Sequence, residues 1–154
     1  MLDKLKAIHQ EQREAVASLA AILSHPDRDG DALAAARLVV MRINRRRLSL
    51  IDCAILPLLP DAGPADARAL SELRLETATH AIRMSQHITR WTLTAICSDW
   101  DGYKRASAEM RREVLRRLDR EAEVLYPLLT LRETAVRPAC PGVSTVGMRD
   151  HLGG

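Results

Sequence analysis

Histidines, a glutamate and arginines stand at core positions of amphipathic patterns in this chain, where chemistry is possible. His9, His80 and His87 offer imidazole nitrogens, Glu121 a carboxylate, and Arg47 and Arg117 guanidinium groups. Imidazole and carboxylate together make a donor set for a transition metal. Guanidinium acts in the opposite sense: it stays protonated and has no lone pair to give. Arg117 and Glu121 lie one helical turn apart, so they share a helix face and can pair directly. Arg47, on another helix, can reach the same carboxylate across a core. A residual metal layer of His9, His80 and Glu121 therefore competes with an Arg47-Glu121-Arg117 ion cluster flanked by histidines. His87 follows His80 by two turns, as an extra nitrogen or a hydrogen-bonded core residue.

These residues recur within a repeat. Arg46-Arg47-Leu48 leads to Ile55-Leu56-Pro57-Leu58-Leu59, and Arg116-Arg117-Leu118 leads to Leu125-Tyr126-Pro127-Leu128-Leu129 at matching offsets. His9 precedes the first copy by much the same distance as His80 precedes the second. A duplicated helix pair with polar residues at equivalent core positions implies a bundle with a central site.

Four long helices must position that site. The first runs from Leu2 to Ser24 and stops at the turn-forming His25-Pro26-Asp27-Arg28-Asp29-Gly30. The second runs from Asp31, read as its N-cap, to about Leu56. The third starts at Pro64, which suits a first helical position, and runs to Ser98. The fourth runs from Tyr103 to Thr130, after a break at Asp99, Asp101 and Gly102. Short connections imply antiparallel neighbours, hence an all-α, up-down-up-down antiparallel four-helix bundle over residues 1–130. Residues 131–154 lack periodicity and read as an irregular C-terminal tail, loop-like or partly disordered.

The seams are mainly apolar, and each is interrupted by large polar residues. They run through His9 and Gln12, then Arg47, then Thr77, His80 and His87, then Arg117 and Glu121. Burying such groups without partners costs several kcal/mol, so four helices making the same exception imply a shared polar layer. Trp91 and Trp100 read as packing for one bundle end, and Met41, Met84 and Met110 as gap-fillers. Cys53 and Cys97 read as small core residues, with Cys140 in the tail as the more reactive thiol.

Composition narrows the function classes. With 47% hydrophobic residues and no Phe, the 154-residue chain carries a real core built from helix formers. The net charge of +3 comes from arginines interspersed with acids, not from a sustained basic stripe, which argues against nucleic acid as a partner. No stretch approaches the ~20 apolar residues of a membrane span, and the first residues lack a signal-peptide apolar run. Three cysteines without a CxxC pair fit a reduced, cytoplasmic setting. No Ser-His-Asp constellation, phosphate loop or zinc pattern is present.

The polar layer and the Leu-Tyr-Pro-Leu ending resemble those of the hemerythrin-like (HHE) four-helix bundles, over residues 2–130. That resemblance implies a ligand histidine on each of the first and third helices, and a His-x-x-x-Glu pair on each of the second and fourth. These would surround a di-iron centre that binds oxygen or responds to redox state. His9 and His80 match the single histidines, and Glu121 matches the glutamate of the fourth helix. Arg117 and Arg47 stand in the paired histidine positions, and Ile51 in the other glutamate position; Asp52 lies about 100° away around the helix. Guanidinium and isoleucine bind no iron, and two obligatory cations repel one. The expectation is a non-enzymatic hemerythrin-like bundle with a degenerate metal site and no cofactor, acting in binding, sensing or regulation. Its partner is an unknown protein or a small anion at Arg47 and Arg117, or a second copy in a homodimer. The alternative is a residual iron protein in oxygen or redox sensing, with His9, His80, His87 and Glu121 as donors.

Overall fold

A computed structural model describes residues 1–59 and 63–136. The described residues form only helices: α1 (Leu2–Ser24), α2 (Gly30–Leu50), α3 (Pro64–Arg90), α4 (Leu93–Ser98) and α5 (Trp100–Val136). A π-helical turn, Ile51–Ile55, and a 3-10 turn, Leu56–Leu58, extend α2. Helix α1 packs on α2 and α5, α3 packs on α5, and α4 lies against α5 and α2. None of the described helices is long and apolar enough to cross a membrane.

Each helix boundary has a local cause. Asp29, not Asp31, caps α2: its Oδ1 accepts from the Ala32 amide at 2.9 Å, which leaves Asp31 in the first turn. The third helix does not run through to Ser98. It ends at Arg90, and Thr92 starts α4 by accepting from the Ala95 amide at 3.2 Å. The fourth helix begins earlier than Tyr103, because Asp99 Oδ1 accepts from the Gly102 amide at 2.8 Å. A Cβ on Gly102 would overlap that carboxylate, so the absent side chain makes room for the cap. The fourth helix also continues past Thr130 to Val136, so the first residues after the boundary at 130 are helix rather than loop. Residues 137–154, with Cys140, lie outside the described residues.

The two copies of the repeat end differently. Pro57 sits in the 3-10 turn, whereas Pro127 lies inside α5. Proline removes one intrahelical hydrogen bond in either place, so the residues C-terminal to it decide the outcome. The first copy ends in its 3-10 turn and Gly63-Pro64 open the next helix, while Leu131-Arg132-Glu133 carry the second onward. Glu133 then holds the start of α1, accepting from the Met1 amine at 2.6 Å and the Leu2 amide at 3.0 Å.

The buried apolar residues form two clusters among the described residues. One joins Leu5, Ile8, Ile51, Ile55, Leu70, Leu73, Leu125 and Leu129. The other joins Leu19, Leu23, Leu33, Ile96 and Tyr103 with Trp91 and Trp100. Ile51 and Ile55, one and two turns after Arg47, are both buried, the second of them at the end of the π-turn. Cys53 and Cys97 are exposed, not core residues, because each faces away from its buried neighbours Ile55 and Ile96. Met41 is also exposed, while Met84 and Met110 are half-buried.

Candidate functional site

Along every long helix the polar residues fall between the two apolar clusters. His9 and Gln12 come from α1, Arg47 from α2, His80 from α3, and Arg117 and Glu121 from α5; all are buried. The Arg47 side chain is 0% exposed, so its charge has no access to bulk water and must be balanced from within.

Glu121 is the hub. Its Oε2 accepts from Arg47 Nη1 at 3.2 Å and from His9 Nε2 at 3.0 Å, and its Oε1 accepts from Arg117 Nη2 at 3.3 Å. Three helices thereby converge on one carboxylate. His9 is oriented from its other side, where the Tyr126 hydroxyl donates to Nδ1 at 2.8 Å and the two rings stack at 5.6 Å. His9 Nε2–H is the donor to the carboxylate, which accepts only.

Each arginine has further acceptors. Arg47 Nη2 donates to Asn44 Oδ1 at 2.7 Å. Arg117 donates to the Thr77 hydroxyl and, through Nη1, to Glu76 Oε2 at 3.2 Å. Burial pulls the Arg47 pKa below its ordinary value; Glu121 opposes that and Arg117 adds to it. The guanidinium keeps its proton regardless.

His80 lies at the edge of the layer and faces a different acid. Its Nδ1–H donates to Glu113 Oε1 at 3.1 Å, and Arg83 Nη1 holds the other Glu113 oxygen at 3.2 Å. Burial pushes the His80 pKa below 6.5, against the Glu113 hydrogen bond and with help from Arg47 and Arg117. His87 is not gathered into this cluster. Its ring lies tilted against that of Tyr103 at 5.9 Å, and burial followed by the Arg37 charge lowers its pKa.

No family model, curated protein or solved structure matches this chain. What the layer can do must be read from its own chemistry. Among the described residues, no three His, Cys, Asp or Glu side chains gather as a metal site would need. Four buried polar atoms lack a partner among the described residues: Gln12 Oε1, Arg47 Nε, His80 Nε2 and Arg117 Nε.

The sequence reading missed several participants. Asn44 and Glu113 precede Arg47 and Arg117 by one turn on their own helices, a spacing that signals shared faces. Glu76 precedes His80 by the same spacing, yet it serves Arg117 across the interface. Arg37, whose Nη2 donates to the Trp91 carbonyl at 2.7 Å and whose guanidinium lies 5.5 Å from the Tyr103 ring, ties α2 to the end of α3. Nothing in its local sequence marks it out.

Proposed function

We propose that this chain is a hemerythrin-like, up-down-up-down four-helix bundle in which an ion-pair layer has replaced the di-iron centre. In this reading it is a non-enzymatic module that binds or senses a partner. The observation that carries it is the state of the Glu121 carboxylate. Where the resemblance puts a metal ligand, both oxygens are engaged by Arg47, Arg117 and His9. These residues do not fit an iron pair. The His9 nitrogen nearest the carboxylate donates a hydrogen bond to it, and two guanidinium groups stand where imidazoles would have to be. Hydrogen bonds to Glu121 tie the helices together in the place of metal–ligand bonds.

The test is metal analysis with a visible spectrum on protein purified from iron-supplemented medium. The expected product is colourless, below about a tenth of an iron per chain and fully helical by circular dichroism. Near-stoichiometric iron with a charge-transfer band overturns the reading. It would favour the alternative, in which His80 Nε2, free of any partner among the described residues, serves as a ligand.

A further inference from the structure

Helices α2 and α3 scarcely approach one another directly, and a cavity of about 270 Å³ opens between them. One end of it is polar, formed by Asn44, Arg47, Thr77, His80 and Arg117, and its wall continues through Leu48, Ala81, Met84 and Ile88. Two buried cations face one buried carboxylate in this layer, since Glu76, the other acid on Arg117, is 44% exposed. The Nε donors of both arginines remain without an acceptor among the described residues. Burying unbalanced charge is costly, so the layer carries one positive charge more than its buried carboxylate offsets.

We propose that this cavity binds a small amphipathic carboxylate, its head on Arg117 with the Arg47 charge behind it, and its tail along Met84 and Ile88. The inference rests on the metal-free reading of the layer. Head-group charge follows from the count of ions: one carboxylate balances the buried excess. Tail length follows from the helix. From His80 to Ile88 α3 rises about 12 Å, room for a medium-chain acyl group. Met84 and Ile88 also line a second, smaller cavity of about 50 Å³ beside Met41, Met110 and Val114. Met84 is a flexible partition that can yield to a longer tail.

Calorimetric titration of the purified chain, with its iron content measured on the same sample, tests this. Octanoate is expected to bind one per chain. Octanol, which lacks the charge, and acetate, which lacks the tail, should bind at least about tenfold more weakly. Ser85→Trp, at an exposed position on the cavity rim, should abolish octanoate binding while leaving the circular dichroism spectrum unchanged. Arg117→Met should weaken binding about ten- to hundredfold, the worth of a charge-assisted hydrogen bond. Equal binding of octanol and octanoate, tighter binding of inorganic phosphate, or an unaffected Ser85→Trp variant each overturn the proposal. An iron-free sample that ignores octanoate overturns this inference alone, whereas an iron-loaded sample overturns the reading beneath it.

Discussion

At the scale of single residues, Glu121 holds together groups that repel one another. Removing its charge leaves Arg47 and Arg117 buried side by side, with only Asn44, Thr77 and Glu76 for company. Glu121→Gln should therefore lower the free energy of unfolding by about 3–5 kcal/mol, the usual cost of stranding one partner of a buried pair. Replacing the whole cluster has the opposite consequence. Arg47→Met with Arg117→Met and Glu121→Leu removes every charge at once, and such replacements are neutral or stabilising by about 1–4 kcal/mol. Urea denaturation of the two variants checks both. A Glu121→Gln variant within about 0.5 kcal/mol of the parent would show that the cluster is not a structural tie.

At the scale of elements, the start of α5 depends on one carboxylate. Asp99 caps a helix whose first turns carry the buried Trp100 and Tyr103, so fraying there would loosen the aromatic cluster. Asp99→Ala should cost about 1 kcal/mol, visible as a lower denaturation midpoint together with faster amide exchange near Tyr103. Unchanged exchange there would mean that packing alone holds the helix start. The π-turn after α2 works differently. It keeps Ile55 on the face shared by Arg47 and Ile51, so that both isoleucines join the apolar cluster beside the ion layer.

At the scale of the whole molecule, the histidines His80 and His87 set how stability responds to pH. Both have folded-state pKa values below the ordinary 6.5, chiefly through burial. His80 faces Glu113, Arg47 and Arg117, and His87 faces Arg37. The unfolded chain thus takes up more protons in the interval between the folded values and 6.5. The stability they contribute is complete above pH 6.5 and is lost as pH falls through that interval. Thermal denaturation between about pH 8 and pH 5 should show a falling midpoint below about pH 6.5, and His80→Gln with His87→Gln should flatten that fall. A midpoint independent of pH would exclude both groups.

The sequence alone carried the helical class, most of the core faces and the identity of the buried polar residues. Those come from side-chain periodicity, which records the direction each residue faces about its own helix axis. It also carried the candidates for an ion layer, because Arg117 and Glu121 share a helix face at any packing angle. The tertiary structure decided which groups meet. That His9 and Arg47 reach Glu121, that His80 turns to Glu113, and that Glu76 serves Arg117 depend on the rotation and axial shift of neighbouring helices. No single helix encodes those two quantities. The exposure of Cys53 and Cys97, the end of α3 at Arg90 and the onward run of α5 past Pro127 lie at the same level. Each is settled by a cap, a π-turn or a neighbouring helix, where local pattern and packing have to be satisfied together.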